Sequence, residues 1–271
     1  MAICVSLRSA STIPIDFTGL TPKWTQDKSL GEIEKRKVLH GRHQIRLAEI
    51  CRVSGDPSDG RMEFDGDFSL AHGIGAAMTL GSIHVSSNAG CNVGLGMQGG
   101  KIHVKGAVGD FLGSEMRGGT IRVDGSAGNS VGGAQNGSRR GMTGGTILIQ
   151  GNVGDHVGHL MRRGLIAVRG NAGKFLGYNM LAGTIVVLGT CNSYAGAGMK
   201  RGTLILLGKS QPVLLPTFRL AGKTASPVLP LTGRHLKSVG FIENTARFAE
   251  PCELLHGDFL ALGKGELFLS N

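Results

Sequence analysis

The feature that most constrains this chain is a glycine period of 19 residues. The last glycine of each strand-then-glycine unit falls at Gly106, Gly125, Gly151, Gly170, Gly189 and Gly208, in steps of 19, 26, 19, 19 and 19. Two further series, Gly94 to Gly196 and Gly100 to Gly202, also advance by 19 with a single step of 26 across the same stretch. The long step holds a 7-residue insertion, Gln135 to Gly141. A weaker copy spans Ser69–Ser87, and Gly60–Gly66 reads as one strand of a still earlier turn. Residues 69–208 hold 34 of the 46 glycines. Helix–turn–helix repeats need more than about 30 residues per unit, and glycine costs roughly 1 kcal/mol per helical position. The period suits one coil of a parallel β-helix, with glycine supplying the positive φ of tight turns.

Each unit contains an alternating Ile-x-Val piece, as a half-buried strand should. The first inward row is Ile83, Ile102, Ile121, Ile147, Ile166, Ile185 and Leu204. The second is Val85, Val104, Val123, Ile149, Val168, Val187 and Leu206. Seven of the nine methionines, Met78 to Met199, recur in register and read as core filling. The expected fold is all-β: a single-stranded, right-handed parallel β-helix of about seven 19-residue coils, with a capping segment at each end. Like residues would stack about 4.8 Å apart.

The expected division is an N-terminal strand region over residues 1–66, the β-helix over 67–208, and a C-terminal cap or docking tail over 209–271. Ile45, Leu47, Glu49, Cys51 and Val53 alternate like a strand. The tail loses the period and carries five of the eight prolines. Phe259–Leu262, Gly263-Lys264-Gly265 and Leu267–Leu269 read as a hairpin.

The five cysteines are odd in number and none are at CxxC spacing, which disfavours a thiolate metal site or a disulfide framework. No export signal or long apolar stretch is visible, so a cytoplasmic location is expected. The nine histidines include HxxH pairs at His40/His43 and His156/His159, and coil neighbours His84 and His103, without the convergent carboxylates of a metal site. Asp110 and Asp155, with Asn129 between them, could form a glycosidase pair. Two coils put them about 10 Å apart, wide even for inverting geometry, and each follows a turn glycine. A ladder of turn side chains is the plainer reading.

The formal charge is +10. Between residues 69 and 208 there are 12 Lys and Arg against 4 Asp and Glu. Arg117, Arg162, Arg163, Lys200 and Arg201 fall just after the methionines, the insertion adds Arg139 and Arg140, and Lys101 lies nearby in the coil. These eight form a candidate basic edge for a polyanion or an acidic partner surface. Solvated charge that keeps a sticky solenoid in solution is the competing reading. Nucleic acid is disfavoured because aromatic platforms are few: only Phe111, Phe175 and Tyr194 share a row, with Ser130 and His156 interrupting it.

The strings Gly109–Gly113, Gly118–Gly125 and Gly144–Gly151 resemble the C-terminal domain of glutamate synthase, a right-handed parallel β-helix. The free-standing form, with a leading strand region and a short tail, resembles the C subunit of formylmethanofuran dehydrogenase and of the bacterial formyltransferase/hydrolase complex. The likeness covers about residues 30–208 and brings no catalytic motif. It implies a scaffold role, catalytic residues and metal centres on other subunits, and no covalently bound cofactor. The implied partners are a formyltransferase, a metal-dependent amidohydrolase and a pterin-binding-like protein, with no membrane. The reaction implied is formyl transfer from tetrahydromethanopterin to a methanofuran-type cofactor, then hydrolysis to formate. That cofactor carries a glutamate-rich tail, a polycarboxylate that Arg forks suit. The basic edge is therefore a candidate tail-binding site. Alternatives are a glutamate synthase-like amidotransferase component and, last, a polysaccharide-active enzyme.

Overall fold

The computed structural model describes residues 2–270. Strands β1 (Ile3–Leu7) and β2 (Ile15–Asp16) precede two short helices, α1 (Pro22–Thr25) and α2 (Leu30–Glu34). The hairpin of β3 (Lys37–His40) and β4 (His43–Arg46) runs through the helical turn α3 (Leu47–Ile50) into β5 (Cys51–Ser54). The periodic part follows as β6 (Arg61–Asp65), β7 (Ala71–His72), β8 (Ser82–Val85), β9 (Lys101–Val104), β10 (Thr120–Val123), β11 (Thr146–Ile149), β12 (Leu165–Val168), β13 (Thr184–Val187) and β14 (Arg201–Leu206). The tail holds β15 (Arg219–Thr224), helix α4 (Val228–Ser238), β16 (Cys252–Gly257) and β17 (Lys264–Leu269).

The main sheet has the order β15-β16-β17-β14-β13-β12-β11-β10-β9-β8-β6-β1-β5. Its strands are parallel from β17 through to β1, and β6 stacks on β8 with Met62 beside Ile83 and Phe64 beside Val85. The earlier turn expected at Gly60–Gly66 is therefore present. Antiparallel pairing ends the stack on both sides, by β5 on β1 and by β15 and β16 on β17. A second line of one-residue parallel bridges runs Phe68, Ala89, Val108, Ala127, Val153, Ala172, Cys191 along another side. The fold is mostly β and β-helix-like. A smaller sheet, β4-β3-β2-β7, flanks its N-terminal end.

Stacking in register explains the core. Ile102, Ile121, Ile147, Ile166 and Ile185 pair strand to strand and are all buried. Each contributes about 1.5–3 kcal/mol of transfer free energy relative to an exposed side chain. The methionines of the row are fully buried as well. Glycine makes room for them: a Cβ on Gly145, whose φ is +94°, would lie 2.7 Å from the Met116 methyl and 2.9 Å from the Gly119 carbonyl oxygen. The insertion leaves the ladder intact, because Thr120 still pairs Thr146.

Three expectations need correction. Residues 45–53 are not one strand, since the Glu49 carboxylate accepts the Arg46 N–H at 2.9 Å and winds Leu47–Ile50 into a turn. In the tail hairpin, Phe259–Leu262 is the turn rather than a strand. The Asp258 carbonyl accepts the N–H groups of Ala261, Leu262 and Gly263 there, and β16 supplies the first arm. The chain is also not purely β. Helix α4 packs Leu229 and Leu236, with Phe241 and Phe248, over outward-facing Leu148, Ala167, Val186 and Ile205. At the other end of the sheet the same row reads Glu63, His84, His103 and Arg122; among the described residues no helix packs on it, and only Arg122 reaches the end of α4, donating to the Gly240 carbonyl at 3.1 Å. No helix of the described residues is long and apolar enough to cross a membrane.

Candidate functional site

The polar groups expected at the turns hold coils together. Asp110 Oδ1 accepts the Asn129 N–H at 2.7 Å, Asn129 Oδ1 accepts the Asp155 N–H at 2.8 Å, and Asp155 Oδ1 accepts the Lys174 N–H at 2.7 Å. A parallel series joins Asn152 to Asn171 and Asn171 to Thr190. The glycosidase pair is thus engaged in ladder bonds. His84 and His103 do meet, with ring centres 5.1 Å apart, and His103 Nε2 lies 2.8 Å from Asp124 Oδ2. Burial, then the neighbouring His103, pushes His84 below its ordinary pKa. Among the described residues no cluster of three or more His, Cys, Asp or Glu could hold a metal ion. Burial pushes the Cys191 thiol up to about 12, which removes its thiolate at neutral pH.

The eight basic residues are all exposed. Among the described residues no ion pair engages any of them. Arg117, Arg162 and Lys200 occupy one coil position, their N–H groups donating to the carbonyls of Met97, Met142 and Met180. Thr143 and Leu181 fill the same position in the coils between, bonded to Met116 and Met161. Bases therefore recur every second coil, about 10 Å apart. Arg163 and Arg201 form the adjoining row, with Ala182 between them. Lys264 of β17 extends that row, because it pairs with Arg201 in the sheet. Lys264 lies outside the period, so no repeat signal could place it there. Lys101 stands apart at the start of β9, flanked by Ser82 and Thr120. Arg139 and Arg140 lie in the insertion, whose Gln135 side chain donates to Asn92 Oδ1 at 2.8 Å.

A second surface feature runs along the neighbouring turn. Asn92, Phe111, Ser130, His156, Phe175 and Tyr194 share one coil position, and all six have φ between +58° and +67°. Their N–H groups each donate to the next coil or, for Tyr194, to Val213. His156 does not interrupt the aromatic row. Its ring stacks on Phe175 at 5.2 Å and 9°, and Phe175 stacks on Tyr194 at 5.3 Å. His159 stacks on Tyr178 at 5.5 Å beside them, and Phe175 meets Tyr178 edge to face. Imidazole belongs in this ladder as a flat ring, which a count of Phe, Tyr and Trp alone misses. Burial, with His156 adding to it, holds His159 below its ordinary pKa.

No protein-family model matches the chain. Over 90 residues it is 35% identical to the C subunit of the tungsten-containing formylmethanofuran dehydrogenase 2 of Methanothermobacter wolfeii, and 34% identical to that of Methanothermobacter thermautotrophicus. These matches span 32% of this chain and 33% of each relative's length. A solved structure extends the likeness to the full length. It is a chain of the formyltransferase/hydrolase complex (FhcABCD) from Methylorubrum extorquens, in complex with methylofuran. It superposes with a TM-score of 0.90 at 32% identity, covering 99% of both chains. By this full-length agreement in sequence and fold, the chain belongs to the family formed by the C subunit of formylmethanofuran dehydrogenase and its equivalent in the formyltransferase/hydrolase complex.

Proposed function

We propose that this chain is the non-catalytic scaffold of a hetero-oligomeric, formylmethanofuran-handling complex. The observation that carries this is the full-length likeness to a chain of a complex solved with methylofuran. In this reading the chain winds as a right-handed β-helix of about seven coils, capped by residues 1–66 and 209–271. The complex moves a formyl group from tetrahydromethanopterin to a methanofuran-type cofactor and hydrolyses it to formate. Its catalytic groups sit on a formyltransferase, a metal-dependent amidohydrolase and a pterin-binding-like protein. The bacterial hydrolytic form is favoured because the whole-length likeness is to that complex, whereas the dehydrogenase relatives match over a third of their length.

The basic rows hold the glutamate-rich tail of the cofactor. Arg117, Arg162 and Lys200, with Arg163, Arg201 and Lys264 beside them, set positive charge at regular intervals along the coil axis. Lys101, Arg139 and Arg140 extend the field outside those rows. A flexible polycarboxylate needs such a row of exposed, unpaired cations more than a closed pocket.

Native purification of the tagged chain at low salt, with mass spectrometry of the eluate, tests the assembly. The three partner proteins and a polyglutamylated furan cofactor are expected together. A flavin and iron–sulfur enzyme in their place transfers the chain to a glutamate synthase-like assembly. Replacing Arg162 and Arg163 by Ala should lower cofactor retention several-fold and flatten its dependence on salt. Unchanged retention removes the tail-binding role and leaves the scaffold.

A further inference from the structure

We infer that the five-ring ladder of His156, His159, Phe175, Tyr178 and Tyr194 is the docking face for a protein partner whose contact patch is apolar at its centre and acidic on one side. This rests on the hetero-oligomer reading above, and adds which surface makes the contact and what chemistry meets it.

Backbone conformation supplies the first ground. His156, Phe175 and Tyr194 sit at φ of +60°, +59° and +67°, a region that bulky side chains rarely occupy. Glycine fills such positions without steric cost, and Gly73, one coil before Asn92, does so in this row at +69°. Rings at these positions are therefore not demanded by the turn. Such outliers concentrate where a surface has a use.

Exposure supplies the second. The rings stand on the outside of the coil. Tyr194 is 38% exposed and ends the stack, and the next residue its backbone meets, Val213, is 64% exposed. Aromatic side chains bordered by arginine are the composition of an interface centre and its rim.

Ring spacing and charge choose the occupant. Successive rings are 5.2 and 5.3 Å apart, so no planar base can enter between them. A flat ligand needs about 7 Å, twice the contact distance. A single-stranded nucleic acid is thus refused along the stack. A strongly hydrated carboxylate polymer has no apolar surface to bury on the rings, whereas a folded partner with an apolar patch does. On the side of His159 and Tyr178 the ladder borders Arg162 and Lys200, then Arg163, Arg201 and Lys264, with no acidic residue in those rows. The complementary rim is acidic and meets only the near edge of this field, at Arg162 and Lys200, leaving Arg163, Arg201, Lys264 and the remaining cations to the tail. A second copy of this chain would bring the same basic rows to the contact and is disfavoured.

The test uses the complex assembled by co-expression, with Phe175→Gly and Tyr194→Gly, singly and together. Glycine removes the rings while suiting the backbone, so the variant chain should melt within about 3 °C of the parent. One partner should leave the assembly at least 10-fold more readily than from the parent complex, with cofactor retention lost only in proportion. Lys174→Gln, a charge change just outside the rings, serves as the control and should leave the assembly unaltered. Full assembly by the double-glycine variant overturns the docking face and leaves the scaffold reading standing. Loss of binding to poly-L-glutamate with all partners retained also overturns it, because the rings would then serve the tail. A parent chain that elutes with no partner overturns both readings.

Discussion

His159 shows how one side chain can be tuned by a stack. Burial comes first and the nearby His156 second, and both favour the neutral ring. A histidine whose folded pKa is depressed costs nothing well above the ordinary value of about 6.5. As pH falls through that value the unfolded chain takes up the proton first, so stability declines until the folded pKa is passed. His159→Phe, which keeps a flat ring on Tyr178, should remove this part of the decline between pH 7.5 and 5. Urea midpoints at several pH values check it, and an unaltered slope would assign the decline elsewhere. His84, shifted in the same direction by burial and His103, remains as an internal reference. Asp258 works in the opposite sense. Burial opposes its charge, yet the Leu260 and Gly198 amides, each donating to it at 3.0 Å, hold its carboxyl below the usual range. Its support for the tail is present at neutral pH and fades in strong acid.

At the scale of elements, α4 is the piece that changes the character of the sheet. Its Leu236 is fully buried against the outward row of the late strands. Leu236→Ala should cost about 2–5 kcal/mol, the range for buried leucine truncation. The loss should appear as faster amide exchange in α4 and in the outward row of β11–β14, with β8 and β9 unchanged. Uniform destabilisation along the sheet would contradict a local role for the helix. The inward rows were legible in the sequence because every coil repeats the same instruction, as at Ile102, Ile121 and Ile147. The outward row carried its signal in a single switch, from His103 and Arg122 to Leu148 and Ala167, which periodicity averages away. Lys264 was not legible at all, since its place beside Arg201 depends on a tail hairpin folding back over more than 60 residues. The αL ring row lay between: its spacing was plain, but the shape of imidazole, not its ionisation, decided that His156 belonged to it.

For the whole molecule, the ends matter most. A parallel stack exposes unpaired backbone at its first and last strands, and such edges recruit other chains. Here antiparallel strands close the stack, with β5 on β1 at one end and β16 and β15 on β17 at the other. Deleting everything after Gly208 would uncover the edge of β14 together with Leu148, Ala167, Val186 and Ile205. The truncated chain should elute as large aggregates, and light scattering would report it. A well-behaved monomer would show that the tail serves docking alone. The coil containing Gln135–Gly141 adds a final consequence. Its extra residues swell one corner, yet Thr120 and Thr146 remain partners. Length and girth are therefore separate variables in this architecture. Corner loops can lengthen without moving either end, while the distance between the ends changes only in whole rungs of about 4.8 Å. The molecule is a graduated rod, and lineages that gain or lose a coil would shift whatever its two ends hold by that fixed increment.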